Sequence, residues 1–254
     1  DAGEAWTLVN VLGNPVHSWT YKEFAADRQP QIIHSSTTYD DLQRPTHLYV
    51  VEAGEQKLVE RLFYGDEFEI AAEQNSTGQL VLHFDGAGVV YSDLFDFKGN
   101  LLSNRRRLAS IDYGALKERP DSEKVWRKIV PDWLALNNTQ AGNALADAEY
   151  ALEPDTYSTT FEYDALNRPT ASTTPDDSIT LPGYNKANLL ETIEVKHRGM
   201  EENPPVPNYP MVVKSINYNE KGQRILIKYA NGVKTRYAYE PETFRLRRMW
   251  STRN

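Results

Sequence analysis

The chain has 254 residues, a net charge of −8, 40% hydrophobic residues and no cysteine. The missing thiols exclude disulfides, thiol nucleophiles, iron–sulfur clusters and Cys-ligated zinc, and the acidic balance argues against nucleic acid as a partner, since phosphate contacts need clustered Lys and Arg. Fifteen Tyr and eight Phe are too many for a disordered chain, and no apolar run approaches the ~20 residues of a membrane span.

The start, Asp1-Ala2-Gly3-Glu4, has neither an initiator Met nor a basic region, which reads as a processed or excised piece. Further along, one phrase recurs: an aromatic, then Asp or Asn, two or three variable residues, Gly or Asn, and a β-rich run. It first appears at Tyr39-Asp40-Asp41-Leu42-Gln43-Arg44, then at Phe84-Asp85-Gly86-Ala87-Gly88 and Phe95-Asp96-Phe97-Lys98-Gly99. Asp or Asn hydrogen-bonds its own backbone two residues on, and Gly or Asn tolerates positive φ, so each copy predicts a tight hairpin turn.

An interruption follows, roughly Arg119 to Pro154. Val125, Trp126, Ile129 and Val130 have helical spacing within Asp121–Val130, and Ala141–Leu152 is rich in Ala, so one or two short helices are expected between flanking prolines. The expected organisation is a hairpin array over 1–118, an insertion over 119–154 and a second array over 155–254 continuing the same sheet.

The later copies are Tyr163-Asp164-Ala165-Leu166-Asn167-Arg168, Tyr184-Asn185-Lys186-Ala187-Asn188, Tyr218-Asn219-Glu220-Lys221-Gly222-Gln223-Arg224 and a looser one from Tyr239. The steps from Tyr163 to Tyr184 and from Tyr218 to Tyr239 are both 21 residues; the step between them is 34, much of its excess lying in the Pro-rich stretch 203–210. Near the end, Ile225, Ile227 and Tyr229 share one strand face. A three-residue loop, Ala230-Asn231-Gly232, aligns them with Val233, Thr235 and Tyr237, with Gly232 left-handed in a bulge. A two-residue loop would set Lys234 and Arg236 beside the isoleucines.

Candidate chemistry is sparse. His17, His34, His47, His83 and His197 form no ligand-spaced pair, so no metal and no cofactor is expected. Gly86-Ala87-Gly88 begins like a dinucleotide fingerprint, but Tyr91 stands where the third Gly belongs. The acidic clusters, among them Asp40-Asp41, Asp66-Glu67 and Asp176-Asp177, read as turn formers and solvated acids, and no catalytic residue is assigned. Arg105-Arg106-Arg107 reads as a solvated strand surface, with a polyanion contact as the alternative. Trp6, Trp19, Trp126, Trp133 and Trp250 are either buried packing or sugar-stacking platforms.

Tyr91–Leu108, Phe161–Pro175 and Ile216–Leu246 resemble the tyrosine–aspartate (YD) repeats of Rhs proteins, which also occur in teneurins and in the B and C components of insecticidal toxin complexes. The resemblance implies an all-β fold: antiparallel hairpins forming a curved strip of a hollow β shell. It implies a non-enzymatic structural role, with a toxic cargo polypeptide sheltered inside. The partners would then be the rest of the parent chain or a companion component. The setting would be secreted or extracellular and bacterial. The alternative is an extracellular carbohydrate- or protein-binding repeat module. The aspartate-bearing Asp-Pro signature with which shell-closing Rhs proteins release their toxin has no counterpart here: no Asp-Pro pair exists. The residues expected to carry the repeat are Tyr39, Asp40, Phe84, Asp85, Gly88, Phe95, Asp96, Gly99, Tyr163, Asp164, Arg168, Tyr184, Asn185, Tyr218, Asn219, Gly222, Arg224, Gly232 and Tyr239. A strip with open strand edges is also expected to self-associate.

Overall fold

Runs of β-branched and aromatic residues between Asp/Asn-bearing turns favour extended backbone, and the chain follows that preference almost throughout. The computed structural model describes residues 4–22, 31–52, 54–110, 131–199 and 210–253, and it is antiparallel β with one short α-helix. The helix expected over Asp121–Val130, with Trp126, lies outside the described residues, as does most of the Pro-rich stretch.

The chain divides into two units, 1–157 and 158–254. In the first, β1 (Ala5–Val9), β2 (Pro15–Lys22), β3 (Gln31–Tyr39), β4 (Pro45–Glu52), β5 (Glu55–Tyr64), β6 (Leu80–Asp85), β7 (Gly88–Phe95) and β8 (Leu101–Leu108) each pair antiparallel with the next. In the second, β9 (Tyr157–Tyr163), β10 (Pro169–Thr173), β11 (Ile179–Tyr184), β12 (Leu190–Lys196), β13 (Met211–Tyr218), β14 (Arg224–Tyr229), β15 (Val233–Tyr239) and β16 (Leu246–Arg253) do the same. Because consecutive strands run in opposite directions, alternate turns within each unit emerge at the same end of its sheet.

Registered partners on neighbouring strands share a face. One face of the first unit therefore carries Tyr49 and Leu58, then Phe63 and Leu82, then Phe84 and Val89. Residues 131–152 lie on this face as a cover. They fold as 3₁₀ turns at Leu134–Leu136, Ala141–Asn143 and Glu149–Ala151 around the helix α1 (Ala144–Asp147). Trp133, Leu136, Ala144 and Ala148 are fully buried against Leu58, Phe63, Phe84 and Val89. The Trp133 indole N–H donates to the Asp85 carbonyl at 3.0 Å, and Asp132 accepts from the Leu58 N–H at 3.0 Å. Here, and only here among the described residues, the sheet has a second layer.

The second unit consists of strands and turns alone among its described residues. Its small apolar cluster, Val213, Ile216 and Ile227 with flanking Ile193, Tyr229 and Tyr237, lies on one face of β12–β15. Such cross-strand pairs contribute about 0.2–1 kcal/mol each. The β14–β15 register pairs Ile227 with Thr235 and Lys228 with Lys234, which leaves Ala230-Asn231-Gly232 as the loop. Gly232 has φ +86°, so the three-residue loop with its left-handed glycine is the one adopted.

Candidate functional site: a ladder of turns

Residues Asp164 to Arg168 show how one repeat is built. The Asp164 N–H donates to the Arg168 carbonyl at 3.0 Å, and the Asn167 N–H returns to the Asp164 carbonyl at 3.0 Å. Asn167 takes φ +62°, a conformation that Asn and Gly adopt most readily. The Asp164 side chain closes the loop from inside. Its Oδ1 accepts from the Leu166 and Arg168 N–H groups at 2.8 and 3.0 Å, and its Oδ2 accepts from the Arg168 guanidinium at 2.7 Å. The guanidinium hydrogen bond, followed by the backbone one, holds the Asp164 carboxyl below the usual carboxylate range.

The same frame recurs from Asn10, Asp40, Asp96, Asn185 and Asn219, with Gly13, Gln43, Gly99, Asn188 and Gly222 at the left-handed position. Asn185 and Asn219 each accept two backbone N–H groups through Oδ1, at 2.9 to 3.0 Å. The chemistry requires an oxygen three bonds from Cα, the Oδ1 that Asp and Asn share, which explains why they interchange. Asn185→Ala is expected to cost about 1 kcal/mol, whereas Asn185→Asp stays near neutral; urea denaturation of both variants checks this.

Topology puts all these turns at one end of their sheet, and the tyrosines tie them together. Each turn's preceding Tyr reaches back to the carbonyl just beyond the previous same-end turn. Tyr39 donates to Pro15 at 2.6 Å and Tyr64 to Pro45 at 2.9 Å. In the second unit Tyr184 donates to Pro169 at 2.9 Å, Tyr218 to Leu190 at 2.6 Å and Tyr239 to Arg224 at 2.9 Å. In three of the turns the closing residue reaches forward. Arg44 spans from Asp40 to Asp66 with its guanidinium 4.1 Å from the Tyr64 ring centroid, and Arg168 spans to Asn188 over Tyr184 at 4.5 Å. Gln223 takes this place in its own turn, donating to the Phe244 carbonyl at 2.8 Å.

Several expected repeat residues have other roles. Phe84 and Asp85 do not open a five-residue turn: Asp85 pairs directly with Gly88 across the two-residue loop Gly86-Ala87, at the opposite end from the ladder. Phe84 is fully buried in the core under the cover. Phe95 has no hydroxyl, and the Asn75 side chain meets its carbonyl instead, at 3.1 Å. Arg224 is one place beyond the guanidinium position and contributes its carbonyl to Tyr239. Tyr163 precedes the first described turn of the second unit. Two turns of the same frame lacked the aromatic cue, those from Asn10 and from Thr174, the latter at the opposite end. Asp176 in the Thr174 turn is held near about 2 by the Thr174 and Ser178 hydroxyls.

The triple arginine is fully paired. Arg105 meets Asp93 through two Nε contacts at 2.8 and 2.9 Å, Arg106 meets Asp85 at 2.7 Å, and Arg107 meets Glu149 of the cover at 2.7 Å. With their charges answered, these arginines fit a strand surface and not a polyanion contact. Gly86-Ala87-Gly88 leads into strand β7, which removes the dinucleotide alternative. Trp133 is a core residue, whereas Trp6 is half exposed.

The repeat geometry is matched by comparison. The RHS Repeat family profile covers residues 151–179, the stretch that contains the Asp164 turn. Residues 151–179 match the Rhs repeat, and the chain as a whole resembles Rhs-repeat proteins. The chain is 24% identical over 258 residues to toxin subunit YenC1 of Yersinia entomophaga, and 26% identical over 190 residues to toxin subunit YenC2 of the same organism. Those alignments cover 97% and 75% of the chain but only 22% and 17% of the relatives. Among solved structures, it superposes over its whole length on 10% of a chain in the TcdB2-TccC3 crystal structure, at 25% identity and a TM-score of 0.63. A structure of the Photorhabdus luminescens Tc holotoxin pore gives the same values. The chain thus spans about a fifth of the curated relatives and a tenth of the solved chains.

The cover is tied to the repeat sheet through a titratable contact. His47 Nε2 lies 3.1 Å from the Asn137 carbonyl, and Tyr49 donates to the Asn137 side chain. Burial first, and then the Arg61 guanidinium, push His47 below its ordinary 6.5, against the opposing effect of the Asn137 hydrogen bond. The unfolded chain therefore binds the proton more readily than the folded one. The His47 contribution is complete above pH 6.5 and declines as pH falls through the lowered folded value. Hydrogen-exchange protection over 131–152, taken relative to the intrinsic rate at each pH, is expected to fall between about pH 7.5 and 5, and His47→Gln is expected to flatten that response.

Proposed function

We propose that the chain is a length of wall in a hollow β shell that shelters a toxic polypeptide, and that its role is structural and not enzymatic. Residues 1–118 and 155–254 are its lengths of wall, separated by an insertion over 119–154 of which residues 131–152 lie on the first length. The observation that carries this reading is the ladder, in which successive same-end turns are stitched in chain order by a Tyr hydroxyl and a carbonyl. Such stitching lets a sheet extend one repeat at a time with little core. It suits a thin wall better than a site that must hold substrate.

The toxin-complex relatives support partners of two kinds: the remainder of a longer parent chain with its companion component, and an enclosed cargo chain. They also support a bacterial, extracellular setting. Imaging the full-length parent by electron microscopy, with protease treatment of its cargo region, tests the proposal. A hollow particle whose cargo is cut only after the shell is opened is expected. A solid particle, or cargo cut as fast as free polypeptide, would overturn it. The isolated 254-residue chain is further expected to self-associate through the edges of β1 and β16, and light scattering that stays monomeric as concentration rises would contradict this.

A further inference from the structure

His17 on β2 and His34 on β3 are 17 residues apart in the chain, and their facing nitrogens, Nδ1 and Nε2, are 3.1 Å apart. Both rings rest on Trp19. His34 stacks on the indole at 5.2 Å and 10°, and His17 tilts against it at 5.7 Å and 32°. We propose that His17 and His34 form a two-histidine chelate for a late first-row divalent metal ion, copper(II), nickel(II) or zinc(II).

The distance fits the bite such an ion requires. With metal–nitrogen bonds of about 2.0–2.1 Å, nitrogens 3.1 Å apart subtend about 95–102° at the metal. That angle lies between the square or octahedral value and the tetrahedral one; the ion lies off the N···N line, so each ring turns by about 40° to aim its lone pair at it while the strands stay in place. The metal-free pair must keep one proton between the rings. In the chelate both facing nitrogens present lone pairs and the protons sit on His17 Nε2 and His34 Nδ1, so the ring that donated changes tautomer and the charge is unchanged.

The neighbours select the class of ion. The strand register places Leu8 and Ser36 beside His17, and Trp19 and Val51 beside His34. These positions supply no carboxylate, so the donor set is imidazole and water. That combination suits copper, nickel and zinc and gives calcium or magnesium nothing to prefer. Trp19 packs against both rings and keeps them together on one sheet face, the kind of outer contact that commonly supports metal ligands.

The test uses the full chain without a polyhistidine tag, titrated with copper(II), nickel(II) and zinc(II) salts. A saturating one-to-one isotherm is expected, with magnesium giving none. His17→Ala and His34→Ala should each weaken binding by about tenfold or more, with His197→Ala leaving it unchanged. Trp19→Phe should keep a one-to-one isotherm but lose a fraction of the copper quenching of tryptophan fluorescence. Electron paramagnetic resonance of the copper-loaded wild type reads the donor set without any variant: couplings from two ring nitrogens are expected. One nitrogen or none, or an isotherm that survives both His→Ala changes, would overturn the proposal.

Discussion

Trp133→Ala is expected to cost about 3–5 kcal/mol and to strip the cover from the sheet. The side chain is wholly buried and meets Phe84 edge-on at 5.2 Å. It also satisfies the Asp85 carbonyl, and its own backbone N–H reaches the Leu58 carbonyl at 2.9 Å. Truncation therefore leaves a cavity and removes the indole hydrogen bond to the Asp85 carbonyl together, and the short helical turns of 131–152 have little else to fold on, since helices of this length are unstable alone. Urea denaturation gives the magnitude. Hydrogen exchange gives the location, with protection lost over 131–152 and β4–β7. Trp133→Phe refills most of the cavity without the N–H donor and should recover part of the loss. A change below about 1 kcal/mol in the alanine variant would mean the cover is held by its ion pairs and not by this core.

Gly88→Ala is expected to be nearly as damaging, by a different route. Gly88 has φ +129°, outside the range of L side chains, and a Cβ there would stand 2.2 Å from the Arg107 carbonyl oxygen and 2.7 Å from the Ala109 nitrogen. Both are backbone atoms of the neighbouring strand or its exit, so the clash can be relieved only by opening the β7–β8 pairing. A cost of about 3 kcal/mol follows from backbone strain added to lost ladder bonds. Gly13→Ala is the matched control. It has φ +84° but nothing within 4 Å of the added carbon, so only the left-handed strain of about 1 kcal/mol remains. Equal effects at the two positions, measured by denaturation midpoints, would contradict this.

The turn frame was legible in the sequence because its chemistry is local. Asp164 and Asn167, or Asn219 and Gly222, lie three residues apart and perform their roles within the loop. The register of Ala230-Asn231-Gly232 was legible for a related reason, since a slip would have turned Ile227 toward the opposite face. What the aromatic does was hidden. The Tyr218 hydroxyl bonds a carbonyl 28 residues upstream, whereas Tyr184 reaches back only 15. The variable interval reflects insertions at the far end of the strands, which lengthen the chain between turns without separating the turns in space. This explains why a 34-residue step and a 21-residue step belong to one ladder.

The misreadings have the same origin. Phe84-Asp85 has the letters of the phrase, but its two-residue loop at the opposite end follows from direct Asp85–Gly88 pairing, which spacing alone does not distinguish. The Asn10 turn has the frame without the preceding Tyr. The cover's contacts join residues far apart in the chain, 48 positions for Trp133 with Asp85 and 90 for His47 with Asn137, and no local pattern encodes them. His17 and His34 looked unrelated because their pairing depends on the β2–β3 register.

Spin labels at the exposed turn tips provide the most direct test of the ladder, and the absence of native cysteine lets them be attached cleanly. Leu166→Cys, Ala187→Cys and Lys221→Cys place labels on three successive same-end turns of β9–β14. Two strand spacings separate neighbouring tips, so the 166–187 distance should be about 10 Å and the 166–221 distance about 20 Å. Distances that grow in chain order would establish the rungs side by side. A 166–221 separation equal to or shorter than the 166–187 one would show that the turns do not form a ladder at all.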